Sequence, residues 1–256
     1  MYRWWRIVGT GLSFLMFYCG CLVIGPALIL CALLRNRDER MRALFLQRSF
    51  HRLFGAFTFV MSRCMRLATF EWDGFEALGR PRGRLIVANH PTLIDVVLLI
   101  ARLPEVDCIV KAELFANPFT RHCVTAAGFV PNSEGPGVVE AAVERLLAGH
   151  DVLLFPEGTR SPVRGLRPFQ RGAARIAAAS GCDILPVFVR CVPPMLFKGS
   201  KWFHAPVVKP RITLRVGAAL RPQEWRAPGL PQSAEARTIT QLLERRFAKE
   251  LNFERA

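Results

Sequence analysis

Residues 7–34 carry no charged side chain, and that run limits what the chain can fold into more than any other feature. As a helix it would reach roughly 42 Å at about 1.5 Å per residue, against ~30 Å for a bilayer's hydrocarbon core. Such a run must tilt, bend at Gly25-Pro26, or dip into the bilayer and turn back. Arg3 and Arg6 ahead of it imitate the basic start of a secretion signal. The apolar stretch is too long for a cleaved signal, however, and no small-x-small cleavage site closes it, so a retained membrane segment is expected. Arg35, Arg37, Arg40 and Arg42 follow it. Their excess over the preceding cations places the rest of the chain on the cytoplasmic side of the inner membrane.

Residues 40–66 read as a second helix with two faces. Arg48, His51, Arg52, Arg63 and Arg66 fall on one arc, and Leu46, Phe50, Phe54, Phe57 and Met61 on the opposite one; only Arg42 strays onto the apolar side. A helix of this kind lies in the membrane interface or packs on a domain while touching headgroups; an ordinary domain-packing helix shows the same pattern. The expected organisation is therefore a membrane-associated helical part at 1–69 (hydrophobic segment 7–34, amphipathic helix about 40–66) and a domain at 70–256.

Net charge is +15, but no zinc-finger spacing, RNP-type aromatic motif or basic heptad region accompanies it, so no nucleic-acid partner is expected. Beside a membrane segment, anionic membrane lipid is the simpler partner. The eight cysteines form no C-x-x-C pair and no zinc-ligand spacing, which predicts neither metal nor disulfide and suits a reducing cytoplasm. Short apolar, partly β-branched runs at 85–87, 108–110, 152–155, 184–189 and 212–216 predict strands. Helical stretches at 95–102, within 113–127, and at 138–147, 172–180 and 234–251 separate or follow them, with a proline-rich loop at 221–232. This alternation predicts an α/β fold, with a mixed, largely parallel sheet flanked by helices.

Two blocks carry chemistry. Asn89-His90-Pro91 leaves the 85–87 strand, with Pro91 suited to start the next helix and Asp95 one turn inside it. A carboxylate there can accept the imidazole Nδ1–H, fix the tautomer and leave Nε2 free as a base. No serine or cysteine nucleophile stands beside the pair, so it points to attack by a substrate hydroxyl that His90 deprotonates. A capping or core histidine paired with an acid by chance is the alternative. Phe155-Pro156-Glu157-Gly158-Thr159-Arg160-Ser161 also follows a strand. Gly158 lets backbone approach a ligand, and Arg160 offers a planar fork for phosphate. Glu157 can hold Arg160 or accept from a substrate hydroxyl; a solvent-facing turn with a salt bridge is the alternative. Arg164, Arg167 and Arg171 add positive charge downstream.

In this order and separation, the two blocks resemble the glycerolipid acyltransferase family, the lysophosphatidate (1-acylglycerol-3-phosphate) acyltransferases and their relatives. Asn89, His90 and Asp95 match N-H-x4-D, residues 155–161 match F-P-E-G-T-R-S, and Ile184-Leu185-Pro186-Val187 matches a later strand with proline. Ile109-Val110-Lys111-Ala112-Glu113-Leu114 is similar to the family's lysine-bearing strand end. The resemblance covers about residues 70–220. It implies that His90 is the base and Asp95 its partner. It also implies that Asn89, Lys111, Glu157, Gly158, Thr159 and Arg160 bind a lysolipid acceptor at its glycerol-phosphate. The implied donor is acyl-CoA or acyl-carrier protein, whose thioester is already activated and needs neither metal nor cofactor.

One segment departs from the family pattern. The central glycine-led strand usually ends in Asp-Arg, and that arginine helps bind the phosphate. Here Gly128-Phe129-Val130-Pro131 leads into Asn132-Ser133-Glu134, and a glutamate at that place repels phosphate. Either Arg160, Arg164 and Lys111 compensate, or the acceptor is a lyso-aminolipid or another hydroxylated lipid. A non-catalytic lipid-binding or scaffolding protein on the same fold stays open as an alternative.

Overall fold

A computed structural model of the chain describes residues 2–132, 137–226, 229 and 231–252. Leu85-Ile86-Val87-Ala88 is buried at every position, as a strand in the middle of a sheet covered on both faces must be. This strand, β2 (Leu85–Ala88), is the centre of one seven-stranded sheet with β1 (Thr69–Asp73), β3 (Asp107–Lys111), β4 (Val130–Asn132), β5 (Val152–Leu154), β6 (Ile184–Val192) and β7 (Arg211–Val216). The strand order is β1-β7-β6-β2-β5-β3-β4. Every neighbouring pair is parallel except β6 and β7, so the sheet is mixed and largely parallel. β1 and β4 lie at the two edges, where polar residues such as Glu71 and Asn132 are tolerated. That is why no continuous apolar run marks them.

The pleat divides the core. Ile86, Ala88 and Leu153 face one apolar cluster, and Leu85, Val87, Val152 and Leu154 the other. The second cluster is closed by α7 (Gly137–Leu147), α8 (Gly172–Ser180) and α9 (Gln232–Glu250), through side chains such as Leu146, Ile176 and Phe247. The first is closed by α4 (Asp95–Ile100) and by the N-terminal helices α1 (Tyr2–Cys19), α2 (Gly25–Arg35) and α3 (Glu39–Phe59). Short helices α5 (Glu113–Ala116) and α6 (Arg121–Ala126) follow β3.

The uncharged run folds as one continuous helix from Arg3 to Arg35, long and apolar enough to cross a membrane by length and composition. It does not break at Pro26. A π-helical turn, Gly20–Ile24, precedes it, and Gly25 N–H reaches back to Gly20 O. The widened turn accommodates the ring and the missing N–H of Pro26. The chain then reverses: Asp38 caps α3 by accepting Met41 N–H at 2.9 Å. α3 returns alongside, with Phe54 6.3 Å from the Phe17 ring. The run itself neither breaks nor reverses; the chain turns only beyond it, at 36–38.

The amphipathic helix packs on the sheet domain. Leu46 and Phe50 are buried, Gln47 Nε2 donates to Asp107 Oδ1 at 2.8 Å, and Arg48 pairs with Glu105 at 2.6 Å. Phe50, Met61, Met65 and Leu67 belong to the same apolar cluster as Ile86 and Leu98. The expected boundary between residues 69 and 70 therefore runs through one hydrophobic core, because the apolar arc of α3 is spent on the sheet.

Candidate active site

β2, β5 and β3 are adjacent and parallel, so the segments leaving their carboxyl ends emerge along one edge of the sheet. Register sets the levels. Val87 pairs with Leu154, which carries His90 level with Glu157, and Asp107 pairs with Val152, which carries Lys111 level with Pro156.

His90 Nδ1 lies 2.8 Å from Asp95 Oδ2. Asp95, fully buried at the first turn of α4, also accepts Thr92 N–H at 2.7 Å and Thr92 Oγ1–H at 2.5 Å. A carboxylate so placed favours the tautomer with its proton on Nδ1, which makes Nε2 the nitrogen able to accept one from a substrate. The Phe155 ring stacks on the imidazole with centroids 4.4 Å apart, and Ser161 N–H donates to His90 O at 2.7 Å. Both faces of the motif are thereby held to the segment after β5.

A cavity of about 840 Å³ opens beside this pair. His90, Lys111, Gly158, Thr159 and Arg160 line it, and so do aromatic side chains of the N-terminal hairpin, among them Phe14, Phe17 and Phe54. Three of the residues expected at the substrate or the reaction are not on its wall. Asp95 sits behind His90, off the wall. Asn89 is buried, and its amide both donates to Val189 O and accepts Val189 N–H at 2.8 Å, which ties β2 to β6.

Glu157 likewise lies off the wall. It is buried, and Oε1 accepts His90 N–H at 3.2 Å and the Ser161 hydroxyl, while Oε2 accepts Arg167 N–H at 2.9 Å. Its charge is used to join the two motifs. It does not hold Arg160, whose Nη1 donates instead to Leu196 O at 2.9 Å and Phe197 O at 3.1 Å. Gly158 has φ +65, and a Cβ there would stand 2.5 Å from Gln170 Nε2, so the close approach its missing side chain permits is to Gln170.

Arg164, Arg167 and Arg171 do not line the cavity; Arg175 of α8 and Lys198 of the loop after β6 do. Sequence reasoning passed over both because neither belongs to a motif. Only the order of strands brings them to this edge. Asn132 reaches the cavity, whereas Glu134, expected to disturb a phosphate, lies outside the described residues. Burial pushes the thiol of Cys191 up to about 12, with the Asp95 charge adding to the rise, so this neighbour of the pair stays a neutral thiol. Among the described residues no group of three or more His, Cys, Asp or Glu gathers to hold a metal.

Comparison with known proteins follows the same residues. A family model described as Acyltransferase matches residues 70–190. A 1-acyl-sn-glycerol-3-phosphate acyltransferase of Escherichia coli is 55% identical over 113 residues, 41% of this chain and 46% of that one. A lyso-ornithine lipid O-acyltransferase of Pseudomonas aeruginosa is 32% identical over 109 residues, 41% of this chain and 42% of that one. The crystal structure of the 1-acyl-sn-glycerophosphate acyltransferase PlsC from Thermotoga maritima shares the fold, with a TM-score of 0.73 at 22% identity and full coverage of both chains. The chain spans about half the length of the curated relatives it matches.

Proposed function

This chain belongs to the acyltransferase family, and on that premise we propose that it moves a fatty acyl group onto the hydroxyl of a lysophospholipid of the 1-acylglycerol-3-phosphate type. The donor is a thioester, acyl-CoA or acyl-carrier protein, and the site works at the cytoplasmic face of a membrane held by residues 7–34. The acceptor hydroxyl gives its proton to His90 Nε2 as its oxygen attacks the thioester carbonyl. A C–O bond forms, and the carbonyl electron pair moves to oxygen. When that pair returns, the C–S bond breaks and the leaving thiolate takes the proton from the imidazolium. Asp95 opposes the positive charge while it lasts. Lys111, Arg160, Arg175 and Lys198 offer the acceptor phosphate its counter-charge, and the apolar wall takes acyl chains.

The observation that carries this reading is the oriented His90–Asp95 pair beside a cavity with both apolar and cationic walls. Acceptor-dependent thiol release from acyl-CoA tests it. His90→Ala should lower the rate about 10²–10⁴-fold with an unchanged melting temperature, and wild-type turnover by that variant refutes the mechanism. A second reading, transfer to a lyso-aminolipid, is favoured by the likeness to the lyso-ornithine lipid enzyme and by the missing arginine after Val130-Pro131. Comparing kcat/KM for lysophosphatidate and a lyso-ornithine lipid separates the two.

A further inference from the structure

Residues 1–37 contain no aspartate or glutamate, and neither do residues 184–223. The fold brings these two acid-free stretches together. Arg6, buried on α1, donates through Nε to Pro206 O at 3.0 Å and through Nη2 to Val207 O. Trp202 lies against α1 at Gly11, where a Cβ would stand 3.0 Å from the indole; a larger residue there would push the loop away.

Around this joint the apolar side chains face outward. Trp4 is 75% exposed, Val207 72%, Val208 66% and Val8 58%, and Trp202 and Phe203 are exposed too. Arg3, Lys201 and Lys209 are exposed among them, and Lys201 Nζ lies 5.6 Å from the Phe203 ring centroid. A nucleic acid would take the cations and leave the valines in water. A bilayer surface matches every part: indoles at headgroup level, valines below them, and ammonium groups reaching anionic phosphates.

We infer that residues 201–209, clamped to the start of α1 by Arg6, form a second membrane-contacting element that docks on anionic lipid. It lies far along the chain from the hydrophobic run and joins it only in the folded protein. Its contact with lipid does not depend on the acyl-transfer chemistry, so the test below stands apart from the test of that reading.

The full-length protein is bound to vesicles of phosphatidylcholine, with and without phosphatidylglycerol, in which one lipid carries brominated acyl chains. The difference between the wild type and Trp202→Phe isolates the fluorescence of Trp202. That signal should be quenched by brominated lipid, more so with phosphatidylglycerol present, and shielded from aqueous acrylamide. Val207→Glu with Val208→Glu should abolish the quenching while circular dichroism stays unchanged. Lys201→Gln with Lys209→Gln should weaken it on anionic vesicles only. A Trp202 that stays open to acrylamide on vesicles and dark to brominated lipid overturns the inference. So does shielding that appears only when a protein partner is added.

Discussion

Glu157 is the residue on which the site's geometry makes its sharpest demand. The carboxylate accepts three donors, and both oxygens are occupied by backbone N–H groups, His90 on one side and Arg167 on the other. In Glu157→Gln the new amide must face one of them. Turned toward His90 it opposes the N–H at 3.2 Å and forces the Ser161 hydroxyl to reverse; turned toward Arg167 it opposes an N–H at 2.9 Å. Turned toward Arg167 the part-buried N–H loses its acceptor, and turned toward His90 the N–H keeps only Ser161 Oγ at 3.1 Å; either change costs about 1–3 kcal/mol. For a chain of this size each kcal/mol lowers Tm by roughly 2–4 °C, so the expected fall is about 2–12 °C by calorimetry. kcat should fall with it, because the backbone that carries His90 is released, while KM for the acceptor changes little. Combining the change with Ser161→Ala should be less than additive by about 0.5–3 kcal/mol, since the two side chains share one bond. An unchanged Tm together with a raised acceptor KM would refute this reasoning and put Glu157 at the substrate.

Asp95→Asn should leave the fold intact and lower kcat by up to about 10⁴-fold, because the imidazolium loses its counter-charge and the tautomer its enforcement; steady-state kinetics beside a melting curve checks it. Lys198→Ala should raise KM for a phosphate-bearing acceptor about three- to tenfold, an effect that fades with added salt because the side chain is exposed. An acceptor without phosphate should show no change. Gly158→Ala should cost about 1–2 kcal/mol for the left-handed backbone alone, and should also move Gln170 out of the cavity, which thermal melting and turnover will register together.

The parts of the site readable in the sequence share one property: their geometry is local. His90 and Asp95 are five residues apart across the short turn that opens α4 at Asp95, so their bond follows from local chain geometry. Lys111 and Arg160 follow apolar runs whose parallel pairing an α/β alternation already implies. Asn89 and Glu157 lie off the cavity wall, which the motifs alone do not reveal. Their partners, the backbone of Val189 and of His90, are set by strand register across the sheet. Lys198 gave no signal at all. It reaches the cavity because Arg160 and Leu93 N–H both bind the carbonyl of Leu196, two residues before it.

The uncharged run is tied into the sheet domain along its length. A helix whose only task was to cross a bilayer would have no reason to bind the domain along its length. This one is tied at Trp5, whose Nε1–H donates to Met65 O at 2.7 Å, and again at Cys21, whose carbonyl meets His122 Nε2 at 2.7 Å. Between those ties Thr10, Phe14 and Phe17 form part of the wall of the cavity that holds His90. Its other side, with Leu12, Leu15, Leu22 and Val23, stays exposed. One apolar helix thus divides its circumference between the cavity and the surroundings, which explains why it lacks charge on every face when an ordinary surface helix needs an apolar stripe on only one. On the function proposed above, that arrangement sets the cavity wall and the outward apolar face one helix diameter apart, about 10 Å, a distance an acyl chain could cover without crossing water.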